Sequence, residues 1–253
     1  MRKHEYQLWR DAHTWDPSRD SHLVLEHDLT PAEWIGPLLV PRSYEVRMTA
    51  PLGYEAYARI FFPFFKEREV DDGLDQEYLT WTVVATRHRR IPHALMEKET
   101  ISAEPGGRSK PGSILNSLSP EQEDALLPIL SRNTSSSSAY FLLWEGWGDL
   151  NERVFESSTP KVRHDGRSLY LLRGPLQDYV EFPHTPNYFW PEDRSWCLCG
   201  DCDFEWMYVA GSATCVEEIL AVPSLDAFAT KLENPARVGM DVVNDPSANV
   251  RRG

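Results

Sequence analysis

The sequence predicts an α+β domain, a mostly antiparallel sheet with helices interspersed. Residues 139–149 read Ala-Tyr-Phe-Leu-Leu-Trp-Glu-Gly-Trp-Gly-Asp, an apolar run closed by turn residues, which is the pattern of a strand buried on both faces. Short strand-like segments recur between Gly and Pro breaks at 54–65, 167–173, 195–199 and 204–210. Helix starts are interspersed among them, written as a capping residue followed by proline: Thr30-Pro31-Ala32-Glu33 and Ser119-Pro120-Glu121-Gln122.

In chain order, residues 21–28 suit one short strand, with His22 and His27 on opposite faces, so this segment alone makes a poor metal site. The helix from Thr30 must be short, because Gly36, Pro37 and Pro41 interrupt it. Residues 44–49 alternate polar and apolar, Gly53 marks a turn, and 54–65 alternates again, so the two segments read as a hairpin. In its second strand Tyr57, Arg59 and Phe61 share one face, while Ala56, Ala58, Ile60 and Phe62 share the other. Arg59 there is expected to lay its stem on the flanking rings and extend its head to water or a surface carboxylate, with anion binding or a buried pair as the alternative. Residues 66–76 read as a charged loop. Residues 77–88 fit a strand through Leu79, Trp81 and Val83 or a short helix capped by Thr80, and the helix is preferred. Residues 92–101 read as helical.

The Gly- and Pro-rich stretch at 104–113 is the clearest loop, and 104–118 is where two subdomains would meet if the domain divides. The helix from Ser119 presents Leu126, Leu127, Ile129 and Leu130, carries a kinking Pro128, and ends at Asn133-Thr134. After the 139–145 strand, Asp165-Gly166 begins the strand at 167–173 and Gly174-Pro175 ends it. Residues 182–193 read as a proline-punctuated aromatic loop. Gly211-Ser212 opens a helix over 213–221, Pro223 ends it, and Ser224 can cap one further turn. Residues 1–236 form the domain in this reading, and 237–253 form a polar, mobile tail.

A chain of 253 residues with 41% hydrophobic and 26% charged residues can bury a core without staples. No apolar run approaches the ~20 residues that span a bilayer, so no membrane partner is expected. The N-terminus has basic residues but no apolar stretch behind them, so the cytoplasm is the expected location. A net charge of −13 argues against nucleic acid as a partner. It favours solubility, and more weakly a basic protein partner.

Cys197, Cys199, Cys202 and Cys215 invite comparison with zinc sites, but their spacing lacks a paired C-x2-C knuckle, and ordinary reduced thiols are expected. No metal and no cofactor is expected. The Gly211-Ser212 junction places helix N–H groups where an anion can bind, yet every capped helix has this geometry, and Ser212 is expected to be a simple N-cap. No G-x-S-x-G elbow or Cys–His signature is present.

Five stretches resemble an uncharacterised family of actinobacterial proteins. They are Tyr-Ala-Arg-Ile-Phe at 57–61, Trp-Glu-Gly-Trp-Gly at 144–148, Leu-Leu-Arg-Gly-Pro at 171–175, Trp-Pro-Glu-Asp-Arg-Ser-Trp at 190–196 and Tyr-Val-Ala-Gly-Ser at 208–212. The resemblance spans roughly residues 30–230 and implies no assigned activity. The cysteines after 196 depart from that pattern.

The expected function is therefore a non-enzymatic binding or interaction protein whose partner is a protein or a small molecule. Its aromatic groove would centre on Trp144, Glu145 and Trp147, with Arg59, Trp190, Asp193 and Arg194 adding polar and stacking contacts. The competing expectation is a small-molecule hydrolase using Glu145 as general base, opposite Asp193 or Glu192.

Overall fold

The computed structural model describes residues 14–70, 73–102 and 113–244. Its main body is a nine-stranded sheet. The strands are β1 (Val24–Leu25), β2 (Ala56–Phe61), β6 (Ser138–Trp144), β7 (Val162–His164), β8 (Arg167–Pro175), β9 (Tyr188–Pro191), β10 (Trp196–Gly200), β11 (Trp206–Gly211) and β12 (Ala227–Thr230). They run in the order β1-β8-β6-β9-β10-β11-β2-β12, with β7 beside β1 on β8. A smaller sheet joins β3 (Phe64–Val70), β4 (Gly73–Leu79) and β5 (Ser113–Ile114) in the order β4-β3-β5. All these strand pairs are antiparallel. The helices are α1 (Pro17–Asp20), α2 (Trp81–Arg87), α3 (Lys98–Ile101), α4 (Pro120–Arg132) and α5 (Ala213–Leu220), with short 3-10 segments between. The architecture is α+β, as expected.

Both faces of the large sheet are buried, which is why its strands read as continuous apolar runs. Phe141 and Leu143 of β6, Ile60 of β2 and Leu198 of β10 pack on one side, under α4 and α5. Leu142, Phe61, Cys197 and Cys199 pack on the other, under α2, the 3-10 turns between residues 30 and 48, and Met240. Alternate side chains of a strand point to opposite faces, so each strand divides its residues between the two cores. The faces expected for 56–62 are therefore observed. Five of the nine tryptophans, Trp15, Trp81, Trp190, Trp196 and Trp206, are buried in these cores.

Local chemistry sets several boundaries. Ser119 and Gln122 close a full capping box on α4, and the Gln122 amide also donates to the Phe61 carbonyl at 3.0 Å, tying the helix to β2. Thr80 caps α2 and Ser212 caps α5. Asp165 (φ 44°) and Gly166 (φ 80°) form the two-residue turn that joins β7 to β8.

Elsewhere the structure corrects the sequence reading. Residues 44–49 are not a strand: Arg42 and Tyr44 adopt positive φ, and Val46–Met48 coils into a 3-10 turn with Val46 fully buried. β2 pairs instead with β11 and β12, so no hairpin forms around Gly53. Of the charged stretch at 66–76, residues 66–70 and 73–76 belong to the β3–β4 ladder, where backbone pairing does not require apolar alternation. The 182–193 stretch contains β9, whose Pro191 is tolerated at the strand end. Helix in 92–101 shrinks to α3. Residues 104–112 lie outside the described residues. Within the expected tail, Met240, Asp241 and Asn244 are buried, and 245–253 lie outside the described residues. Among the described residues no helix is long and apolar enough to cross a membrane.

Candidate functional site

The residues expected to share one groove occupy three places. β6 runs six residue steps from Ser138 to Trp144, roughly 20 Å at the usual rise. Pro191 is opposite Ala139, so Trp190, Asp193 and Arg194 lie near its start. Trp144, Glu145 and Trp147 lie at its finish. Arg59 belongs to β2, with β9, β10 and β11 intervening.

Trp190 is a core residue, 1% exposed, between Trp34 and Tyr140 at ring separations of 5.8 and 5.7 Å. It offers no groove surface. The Asp193 carboxylate holds a turn together by accepting bonds from Thr134 Oγ1, Ser135 N, Ser135 Oγ and Ser195 N. Partial burial pushes its carboxyl up, but these bonds outweigh that and hold it well below the usual carboxylate range. Arg194 places its guanidinium 5.3 Å from the Trp34 ring. Arg59, expected to reach water or an exposed acid, is fully buried. Its guanidinium lies 4.3 Å from the Trp206 ring centre and donates to the Ala94 carbonyl and the Tyr208 hydroxyl, each at 2.7 Å.

At the far end of β6, Trp144 meets Trp147 edge-on at 5.5 Å, and Trp147 stacks on His184 at 3.7 Å with an 8° interplanar angle. His184 Nε2 lies 2.9 Å from both Asp149 oxygens. Gly146 has a steric reason, since a Cβ there would come within 2.2 Å of the Trp144 ring; at Gly148 a Cβ meets open space. Glu145 is paired, with Lys161 Nζ at 3.0 Å and Lys161 in turn 5.0 Å from the Tyr170 ring centre. Bonds from Ser168 and Lys161 hold the Glu145 carboxyl below its ordinary value, which makes it a weaker base. Lys161, Asp149 and Arg167 carry no sequence signal for these partnerships, because each partner is distant in the chain.

Arg167 sits 4.9 Å from the Trp144 ring centre and donates to Asp201 at 3.1 Å, to Asp203 at 2.6 Å and to the Cys202 sulfur. Those three acidic and thiol groups lie close enough to share a cation, and the guanidinium already serves as one. Beside them a cavity of about 20 Å³ is lined by Thr49, His164, Asn187, Tyr188 and Asp201 among others. That is room for about one water-sized molecule. The cysteines do not converge. Cys197 and Cys199 share one face with their sulfurs 3.6 Å apart, Cys215 is in the opposite core, and Cys202 faces Arg167.

A larger concavity, about 410 Å³, lies between α5 and β12. Its apolar wall comes from Ala56, Tyr57, Val216, Leu220, Ala229 and Leu232. Glu55, Glu217 and Glu233 stand on its rim, against one cation, Lys231. All four charged residues are exposed. Glu55 also accepts a bond from Ala213 N at 2.9 Å, at the start of α5. The volume lies within the range of ligand-sized sites, and the rim favours positive charge. Sequence reading missed this site because β12 is only four residues long and its groove partners come from two distant segments, 55–57 and 213–220. Glu217 was visible on a predicted helix, but nothing local placed it over a groove.

No protein-family model, curated protein or solved structure matches the chain.

Proposed function

We propose that this chain is an acidic interaction protein that takes a basic segment of a partner protein in the α5–β12 groove. The observation that carries the reading is the rim of Glu55, Glu217 and Glu233 around an apolar wall. A net charge of −13 would add long-range attraction for a cationic partner. The cytoplasm is the proposed compartment, a reducing setting that suits four unlinked cysteines. The hydrolase alternative is set aside because Glu145 is committed to Lys161 and its basicity is lowered.

A fluorescein-labelled peptide of alternating Lys and Val, followed by anisotropy, tests the proposal. It should bind the full chain and release as salt is raised. A Glu-Val peptide should not bind. Reversing the rim with Glu217→Lys and Glu233→Lys together should weaken the Lys-Val peptide by roughly tenfold or more. Binding that is indifferent to this reversal would overturn the proposal.

A further inference from the structure

The α5–β12 groove borders an open sheet edge, and the hydrogen-bond phase of that edge follows from the register. Phe62 N donates to Glu205 O at 3.0 Å, continuing the β2–β11 pairing that sets Phe61 opposite Trp206. In an antiparallel ladder this makes Ile60 and Ala58 the residues that bond to β11, and it turns the backbone of Arg59 and Tyr57 toward β12. Arg59 is opposite Phe228, and Tyr57 is opposite Thr230. Phe228 and Thr230 therefore bond inward, while Ala227 and Ala229 point their N–H and C=O groups away from the sheet. No further strand lies beyond β12 among the described residues, and Ala229 is exposed.

The open edge has definite ends. Asp226 turns the chain through a left-handed conformation (φ 48°) before it. After it, Arg47 N and Val46 N donate to Leu232 O at 3.1 Å and Asn234 O at 2.9 Å, closing the neighbouring backbone. Edge strands ordinarily carry proline, charge or a bulge that discourages pairing. β12 reads Ala-Phe-Ala-Thr and carries no charge or proline, with Lys231 the first charge after it.

We infer that the groove takes its partner by β-strand addition: an extended, basic segment pairs with the outward backbone of Ala227 and Ala229. This inference rests on the proposed function of the groove. Alternate side chains of the added strand would then meet the apolar wall at Val216 and Leu220 or the Glu217 and Glu233 carboxylates. Charge selects this occupant over a second copy of the chain, because edge-to-edge self-pairing would bring two acidic rims together. A bound helix would leave the Ala227 and Ala229 groups unpaired.

The test compares two backbone-methylated forms of the alternating Lys–Val peptide and one variant of the full chain. N-methylation of the alternate amides that face β12 should weaken binding about tenfold or more, and methylation of the other set should not. Ala229→Pro removes an outward N–H that bonds nothing among the described residues, so it should abolish binding with little change in thermal unfolding. Amide exchange at Ala229 in the unmodified chain should slow when the unmethylated peptide binds, and this readout decides the matter if the proline variant does not fold. Equal binding of both methylated peptides, or no protection at Ala229, overturns strand addition. If Glu217→Lys and Glu233→Lys together still weaken the unmethylated peptide in that case, the groove reading stands without it. If that peptide fails to bind the unmodified chain, both fall. Concentration-dependent dimerisation blocked by Ala229→Pro assigns the edge to a second copy and likewise overturns the inference.

Discussion

Arg59 shows how a single residue can be expensive and still structural. It is fully buried, and no carboxylate lies within ion-pair distance of it among the described residues. Its charge is met by the rings of Trp206, Tyr208 and Phe61 at 4.3, 5.2 and 5.8 Å, and by the Ala94 carbonyl and Tyr208 hydroxyl. Burial pushes the guanidinium pKa down. Truncation removes packing under Met240 and leaves the two oxygen partners without their donor. Arg59→Ala should therefore cost about 3–5 kcal/mol in urea unfolding. Arg59→Met keeps most of the volume, loses the same two bonds, and should cost about half as much. Equal losses would mean that packing contributes little and the polar contacts dominate. The segment around Arg59 made its two faces legible in the sequence, since side-chain alternation along a strand is local. The rings that surround the guanidinium were not legible, because Trp206 and Tyr208 arrive from β11 and Ala94 from a separate loop.

Among the elements, those whose boundaries depend on neighbouring residues were the readable ones. The capping box on α4 was visible as Ser119, Pro120 and Gln122, and both reciprocal bonds are formed, Ser119 N to Gln122 Oε1 at 3.1 Å and Gln122 N to Ser119 Oγ at 3.3 Å. Ser119→Ala should lower stability by about 1 kcal/mol, with α4 amides losing exchange protection at its first turn. An unchanged midpoint would show that burial of Leu126, Ile129 and Leu130 alone fixes the helix. The β6, β8, β10 and β11 strands were likewise readable as apolar runs bounded by turns. β3, β4, β9 and β12 were not, since charge, proline or brevity hides their alternation and only pairing with other strands defines them. That difference decided the site as well. Trp144, Glu145 and Trp147 formed a local cluster in the sequence; the two indoles do meet, while Glu145 pairs with Lys161. The α5–β12 groove exists only because β12 pairs with β2, and no local pattern announces that.

At the scale of the whole molecule, the chain ends its described length in a buried polar clasp. Asp241 is 0% exposed and accepts bonds from His93 Nε2 at 2.9 Å, Asn244 N at 2.8 Å and the Thr100 hydroxyl. Glu97 accepts from Gly239 N at 2.5 Å and Met240 N at 3.3 Å, which binds 239–244 to 91–101. Burial alone would raise the Asp241 carboxyl, but the bonds from His93, Thr100 and Asn244 outweigh it and hold it well below its ordinary value. A depressed carboxyl contributes stability that is present above the unfolded pKa, about 3.9, and is lost as pH falls toward the folded value. Asp193 acts with the same sign. Glu123 on α4 acts with the opposite sign. Burial first, and then the charge of Asp124, push its pKa up to about 7. The folded chain then holds a proton that the unfolded chain has released, so stability falls as pH rises from about 4.3 to about 7. Self-repulsion at a net charge of −13 adds to that decline. Thermal unfolding followed from pH 3 to 8 should therefore peak in mildly acidic buffer, near pH 4–5. Asp241→Asn should lower the melting temperature at neutral pH and flatten the acid limb, because its clasp no longer titrates. Glu123→Gln should flatten the limb between pH 5 and 7 while leaving the acid limb in place. A melting temperature that climbs steadily to pH 8, with the Glu123→Gln curve parallel to it, would sink the assignment of Glu123 as the group that titrates there.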